Sequence, residues 1–190
     1  MSVIKVIVGS SRPGRFALQP AAWIMELSEE YPEHTFELID LATVNLPLLD
    51  EPVPALYAQY SKDHTKAWAK VIAEADGFIF ITPEYNHAAP PVLVNSINYL
   101  AAEWRHKPVA FVSYGVAGGV RAVENLRVIV AQLSMYSLYE EVNIIDYWSQ
   151  LDDQGQFTAT TDQVKSAHKM LKAVTFWADN FKGARQKLSK

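Results

Sequence analysis

The stretch GSSRPGRFA, residues 9–17, carries two serine hydroxyls and two arginines directly after the apolar run VIKVIV, Val3–Val8. Gly9 ends the predicted strand, and we expect a helix to begin near Arg15 with the positive end of its dipole facing the loop. The forked guanidinium groups of Arg12 and Arg15 suit phosphate oxygens. The pattern is neither a P-loop nor G-x-G-x-x-G. It predicts a phosphate-binding loop; the alternative is a Ser-Pro-Gly turn with solvated arginines.

A second polar segment, TPEYNHAAPP, residues 82–91, follows the apolar run GFIFIT. It combines a rigid proline, a flat aromatic ring and a residue that tolerates unusual backbone angles. A planar heterocycle needs hydrogen-bonding groups at its edge and a surface at its face, and this loop offers both. The alternative is a surface turn in which Tyr85 only packs. His87 either contacts a substrate or is an exposed loop histidine.

A third segment, SYGVAGGVR, residues 113–121, places three glycines within five positions. Such a turn leaves backbone N–H groups open to close approach by a ligand, just before another predicted helix. Alone this signal is weak, because glycine-rich turns also serve ordinary helix packing. The signal becomes stronger in combination, because a phosphate loop, a loop for a planar edge and a loop of open backbone are all expected at the same edge of the predicted sheet.

Five short apolar runs alternate with five helical periods, and this alternation sets where the three loops lie. It predicts an α/β fold with βαβ crossovers, a five-stranded parallel sheet and helices on both faces. We expect the doubly wound, flavodoxin-like order 2-1-3-4-5, in which a ligand binds between the ends of strands 1 and 3. The predicted strands are residues 3–8, 35–41, 77–82, 108–114 and 141–146. The helices are centred on Trp23, Trp68, Ile97, Leu126 and Leu171.

The third helix is expected to carry Leu93, Ile97, Leu100 and Trp104 on one face. The segment Ala42–Pro54 is expected to be irregular and extended. We interpret residues 1–190 as one domain.

Composition excludes several function classes. The chain has 190 residues, 49% of them hydrophobic, and a formal net charge of −4, which argues against a nucleic-acid partner. It has no cysteine, which removes disulfides and thiolate chemistry. No apolar run is long enough for a membrane span, and the basic ending KGARQKLSK is expected to be a solvated tail. We expect no membrane partner, no metal site and a cytoplasmic location.

The sequence resembles the NAD(P)H-dependent FMN reductase family, a flavodoxin-fold group that includes quinone, azo-dye and chromate reductases. The matching segments are GSSRPGR, LPLLDEP, PEYNHAAPPVLVNSINYL and KPVAFVSYGVAGGVRAVENLR, over about the first 135 positions. One departure is that the family's common L-K-N-A-x-D is replaced by LVNSIN, Leu93–Asn98. If the missing carboxylate normally takes part in subunit contacts, assembly differs here.

The resemblance implies a set of residues around FMN. Around the phosphate it implies Ser10, Ser11, Arg12, Arg15 and Phe16. Against the isoalloxazine ring it implies Pro83, Glu84, Tyr85 and Asn86, with Glu84 and Asn86 acting mainly through backbone and Tyr85 through its side chain. At the other edge of the ring it implies Ser113, Tyr114, Gly115, Gly118 and Gly119.

The implied activity is hydride transfer from NADPH or NADH to FMN, followed by reduction of a quinone, azo dye, flavin or similar small acceptor. The flavin carries this chemistry, so no protein acid or base is expected to be catalytic. The alternatives are a flavodoxin-like electron carrier and a non-catalytic flavin-binding module. Apolar residues on the third helix and around the end of the fourth suggest a homodimer or homotetramer; the alternative is that they complete the core or close the flavin pocket. They are Tyr99, Leu100, Trp104, Leu133, Met135 and Tyr136.

Overall fold

A five-stranded parallel sheet lies at the centre of the protein, whose computed structural model describes residues 1–188. The strand order is β2-β1-β3-β4-β5, as the sequence predicts. Because all neighbouring pairs are parallel, the loops that follow the strands meet at one end of the sheet, here called the carboxyl end. The strands are β1 (Val3–Val8), β2 (Thr35–Asp40), β3 (Gly77–Pro83), β4 (Pro108–Gly115) and β5 (Tyr136–Ile145).

Six helices cover the two faces of the sheet. They are α1 (Leu18–Ser28), α2 (Leu41–Val44), α3 (Asp63–Ala73), α4 (Pro91–Asn98), α5 (Val120–Gln132) and α6 (Thr161–Leu188). Alternate side chains of β3 point to opposite cores: Ile79 and Ile81 pack with α1 and α6, while Phe78 and Phe80 pack with α3, α4 and α5. Every residue of β3 is buried, which explains why its sequence is a continuous apolar run.

The edge strand β5 is longer than predicted, because it begins at Tyr136 rather than at Glu141. Only Leu138, Val142 and Ile144 of its ten residues are buried, and its pairing with β4 shifts register between Val109 and Phe111. An edge strand does not need the continuous apolar run by which inner strands are recognised. The first half of β5 therefore gave no clear sequence signal.

The third predicted helix ends earlier than expected, at Asn98, and Trp104 reaches the core from a separate 3₁₀ turn, Ala102–Trp104. The indole Nε1 of Trp104 donates to the carbonyl oxygen of Ile97 at 3.1 Å, so it satisfies a group at the end of α4. Trp104 is fully buried all the same. The 3.6-residue spacing of apolar residues correctly predicted that Trp104 is buried. It did not predict that α4 ends before this residue.

The surface proposed for subunit contacts on the third and fourth helices is largely wrong. Tyr99, Leu100, Trp104 and Met135 are buried within the chain. Tyr99 is buried because its hydroxyl donates to the carbonyl oxygen of Pro47 at 3.1 Å, which gives the polar tip of the ring a partner. Four of the six residues therefore complete the core and present no exposed face.

The segment between β2 and α3 is less irregular than expected, because it contains α2 and a 3₁₀ turn at Ala55–Tyr57. Asn95 on α4 fixes its extended middle, donating from Nδ2 to the carbonyl oxygen of Pro47 and accepting from the N–H of Leu49. The prolines in this segment predicted its path over the surface but not these contacts.

The basic ending is helical up to Leu188, where a solvated tail was predicted; Ser189 and Lys190 lie outside the described residues. Lys182 and Arg185 on α6 both form ion pairs with Asp76, which precedes β3. Across residues 1–188, no helix is both long and apolar enough to cross a membrane.

Candidate functional site

A cleft of about 190 Å³ opens at the carboxyl end of the sheet, between the loops that follow β1, β3, β4 and β5. Six residues of the predicted site line it: Arg12, Pro83, Glu84, Tyr85, Tyr114 and Gly115. Val116, Tyr147 and Trp148 complete the wall. The parallel order of the strands thus brings together three loops that are about 30 to 100 residues apart in the sequence.

The loop after β1 holds backbone donors that the protein itself does not use. Among residues 1–188, the N–H groups of Ser10, Ser11 and Arg12 have no hydrogen-bond acceptor. The hydroxyl of Ser10 is buried and lies 3.1 Å from the hydroxyl of Tyr85, so it links this loop to the one after β3. The N–H of Arg15 donates to the carbonyl oxygen of Arg12 and closes the turn. The result is a short row of open donors with the exposed side chain of Arg12 beside it.

Arg15 is more constrained than the sequence implies. Its Nη2 lies 2.5 Å from Oδ2 of Asp40, the last residue of β2, so part of its charge is already paired. Its Nε is buried and has no acceptor among residues 1–188. A buried donor without an acceptor is costly, which leaves this atom available to a bound anion. Asp40 was missed because β2 neighbours β1 only in the folded sheet.

Phe16 lies in the core and not at the surface of the phosphate loop. Its ring is 5% exposed and stacks on Tyr147 with a centroid separation of 4.2 Å and an interplanar angle of 17°. It also contacts Tyr114 edge to face at 5.0 Å. Phe16 therefore anchors the start of α1 against two residues of the cleft wall.

The loop after β3 is a tight turn in which Tyr85 and Ala88 exchange backbone hydrogen bonds of 2.9 and 3.0 Å. Asn86 and His87 both adopt positive φ, at 51° and 67°. Asparagine tolerates this region of backbone space, as the sequence suggested. His87 is exposed, and its carbonyl oxygen accepts a hydrogen bond from Asn125 on α5. The turn is thus held in a fixed shape by its own backbone and by α5.

Glu84 and Arg121 form an ion pair at the side of the cleft. The Nε of Arg121 donates to Oε1 of Glu84 at 2.6 Å, and its backbone N–H donates to Oε2 at 3.2 Å. Burial alone would raise the pKa of Glu84, but the hydrogen bonds and charge of Arg121 hold that pKa below its usual value. The carboxylate of Glu84 is therefore already occupied by Arg121, so a contact between Glu84 and a ligand through its backbone stays a prediction.

In the glycine loop after β4, close packing leaves no room for a side chain at Gly118 and Gly119. Gly119 has a φ of 75°, and a Cβ added there would lie 2.8 Å from Cβ of Ser113 and from the backbone nitrogen of Tyr114. Gly118 has a φ of 71°, and its carbonyl oxygen accepts the Ser113 hydroxyl at 2.6 Å. The Ser113 side chain therefore holds the loop closed, with Asn143 of β5 donating to its oxygen at 3.0 Å.

Tyr114 is buried beneath the cleft, where desolvation raises the pKa of its phenol. The neutral ring packs edge to face against Tyr147 at 5.5 Å. Tyr114 therefore contributes an apolar wall with a protonated hydroxyl.

The loop after β5 supplies residues that the sequence reasoning missed. Tyr147 and Trp148 stack on each other with a centroid separation of 4.3 Å. Asp146 has a φ of 47°, and its N–H donates to the carbonyl oxygen of Gly115 at 2.9 Å, which ties this turn to the glycine loop. Tyr147 and Trp148 directly follow the strand predicted at residues 141–146. This pair of aromatic residues was the sequence signal that could have placed them at the site.

The arrangement fits a flavin mononucleotide. The open N–H groups and Arg12 match a phosphate, and the aromatic side chains of Tyr85 and Tyr114, at the ends of β3 and β4, match a planar ring. Among the described residues there is no group of three or more potential metal-ligating side chains.

Comparisons with known proteins agree with this arrangement. Residues 2–149 match the family model described as NADPH-dependent FMN reductase. The chain is 39% identical over 134 residues to an NAD(P)H-dependent FMN reductase of Schizosaccharomyces pombe, covering 70% of this chain and 67% of that protein. It is 29% identical over 164 residues to a 2-hydroxy-1,4-benzoquinone reductase of a Burkholderia species, covering 82% and 85%.

A solved structure shares the fold. It is FerB, a flavoenzyme NAD(P)H:(acceptor) oxidoreductase from Paracoccus denitrificans, with a TM-score of 0.70, 22% identity, and coverage of 96% of this chain and 98% of that one. At this identity the likeness establishes the fold alone.

Proposed function

The chain belongs to the NADPH-dependent FMN reductase family of oxidoreductases, and we propose that the cleft at the carboxyl end of its sheet is where FMN binds. The phosphate would lie on the loop after β1, and the ring between the loops after β3 and β4. FMN and NAD(P)H are the cofactors of this family.

The observation that carries this placement is the set of unused donors beside the cleft. The N–H groups of Ser10, Ser11 and Arg12 and the Nε of Arg15 have no acceptor among residues 1–188. Ser10 and the Nε of Arg15 are buried, and buried donors in folded proteins are nearly always satisfied. An oxyanion bound at the start of α1 would accept from several of them, and Arg12 would add its charge.

When bound, FMN would supply the redox chemistry, which is acceptance of a hydride from NAD(P)H and transfer of electrons to an acceptor. The protein would position the ring and stabilise negative charge that develops on it. The backbone N–H groups of Val116, Ala117 and Gly119 have no acceptor among residues 1–188, which supports this second role for the glycine loop. The buried Tyr114 keeps water from one wall of the cleft.

For the acceptor we propose a small planar molecule such as a quinone, as the name of the Burkholderia relative suggests, or an azo compound, as the name of an NADPH azoreductase of a Bacillus species suggests. Because the cleft is open, we expect it to discriminate little among such acceptors. NADPH is the proposed donor, with NADH as the alternative. A homodimer or homotetramer in the cytoplasm is our proposal for the assembled state, and light scattering that found only monomer at micromolar concentration would contradict the assembly.

The experiment is anaerobic. The protein is loaded with FMN, freed of excess flavin and mixed with NADPH or with NADH while the flavin absorption band is followed. Bleaching that is reversed by a quinone is the expected result, and the faster donor gives the nicotinamide preference. Bound flavin that does not bleach would instead favour an electron carrier or a non-catalytic module.

A further inference from the structure

Trp148 is the most exposed of the five tryptophans, all of which lie among residues 1–188. It is 49% exposed and lines the mouth of the cleft, where Val116 is also exposed. A half-exposed tryptophan contributes less to the core than a buried one, so the folding of the chain gives little reason for it. Its place beside the cleft points to contact with a ligand.

The tryptophan is held in place from the core outward. Phe16 is buried, Tyr147 stacks on Phe16 at 4.2 Å, and Trp148 stacks on Tyr147 at 4.3 Å. The turn that carries both outer rings is fixed because Gln150 donates to the carbonyl oxygen of Ile145 at 2.9 Å. One face of the indole is therefore covered by Tyr147, and the ring has lost much of its freedom before any ligand arrives.

We propose that Trp148 binds the face of a planar aromatic electron acceptor at the mouth of the cleft. This inference rests on the proposed function, because it presumes that such an acceptor enters beside a bound flavin. The indole is electron-rich and a quinone is electron-poor, so offset stacking between them is favourable. Because the ring is already ordered by Tyr147 and Phe16, little conformational entropy is lost when the acceptor binds.

The test measures acceptor binding separately from turnover. Equilibrium dialysis of 2-methyl-1,4-naphthoquinone against the oxidised, FMN-loaded protein compares wild type with Trp148→Ala, Trp148→Phe and Tyr139→Ala. Tyr139 is the matched control, because it is an aromatic residue of β5 that is 90% exposed and does not line the cleft.

We expect Trp148→Ala to weaken quinone binding by about three- to tenfold, the range of one aromatic pair. Trp148→Phe should restore most of the affinity, and Tyr139→Ala should leave it unchanged. In steady state, the KM for the quinone should rise in Trp148→Ala while kcat is kept. FMN affinity should be the same in all four proteins.

Unchanged quinone affinity in Trp148→Ala would overturn the inference, as would a loss of FMN affinity in that variant, because Trp148 would then belong to the flavin site. Failure of the proposed function has a different signature, since wild type would then bind no FMN or would not be bleached by NADPH. Dialysis contains no NADPH, so the two failures are read from separate measurements.

Discussion

The two ends of the sheet differ in whether their polar groups have partners within the protein. At the amino end, where the strands begin, Asp76 is 6% exposed, yet its carboxylate pairs with Lys182 at 2.8 Å and Arg185 at 2.5 Å and accepts the N–H of Val3 at 3.1 Å. Nearby, buried Lys107 donates to the carbonyl oxygens of Ile72 and Ala73 at the end of α3. Charges at this end are satisfied by the protein itself.

At the carboxyl end, the loops after β1 and β4 keep backbone N–H groups without acceptors among residues 1–188. The side chains that are paired there, such as Ser113 and Glu84, hold the loops in shape. Ser10 and Gly119 in these loops are buried, and a buried donor without an acceptor costs stability in the free protein, which supports the proposed ligand site at this end. This difference between the two ends distinguishes residues that stabilise the fold from residues that we expect to bind a ligand.

The largest effect is expected at the amino end. Asp76→Ala should lower the free energy of unfolding by about 3–5 kcal/mol, because it leaves Lys182 and Arg185 near a buried site without their counter-charge. Denaturant unfolding measures this. Asp162→Ala is the control, since within the described part of the chain Asp162 pairs only with Lys165, at an exposed position, and its loss should change stability little. A stable Asp76→Ala variant would mean that the paired charges do not support the fold.

Gly119→Ala tests whether steric contacts with Ser113 and Tyr114 require glycine at this position of the glycine loop. We expect a loss of roughly 2–5 kcal/mol, because positive φ and a Cβ contact at 2.8 Å act together. Gly155→Ala is the control, since Gly155 has the same φ of 75° but open space around it. The difference between the two unfolding midpoints isolates the steric contribution, and equal losses would assign the whole effect to the backbone.

Arg12→Ala should weaken FMN binding by about 2 kcal/mol, the scale of a charge-assisted hydrogen bond to phosphate. Stability of the free protein should not change, because Arg12 is exposed and makes no ion pair among residues 1–188. Titration of the apoprotein with FMN measures the affinity, with Arg105→Ala as an exposed control at the other end of the sheet. Unchanged affinity would contradict the phosphate loop.

The smallest effect concerns Lys107. Burial lowers its pKa to about 7, against an ordinary value above 10, so between these values the unfolded chain binds more protons than the folded one. The stability of the protein therefore gains a contribution that rises with pH, by at most about 1.4 kcal/mol per pH unit. Unfolding at pH 8 and 9 should show this slope in wild type but not in Lys107→Met. Equal slopes would show that Lys107 keeps its ordinary pKa.

Local sequence signals predicted much of the fold. The inner strands are continuous apolar runs because both their faces are buried. Glycine and proline residues at the ends of these runs predicted the positions of the loops that follow β1, β3 and β4. The start of β5 and the break after α4 were missed, since an edge strand and a 3₁₀ turn lack a distinctive period. Four of the six residues predicted for a subunit surface are buried, because an aromatic residue on a helix face has the same sequence signature whether it faces solvent or the core.

What the sequence determined by itself is the order of strands and helices and the chemistry of three loops. Those properties depend on residues close together in the chain. Only the tertiary structure decided that Asp40 pairs with Arg15, that Asp76 meets α6, and that Tyr147 and Trp148 close the cleft. These contacts join segments whose neighbourhood is created by the parallel pairing of the sheet, so no local pattern encodes them.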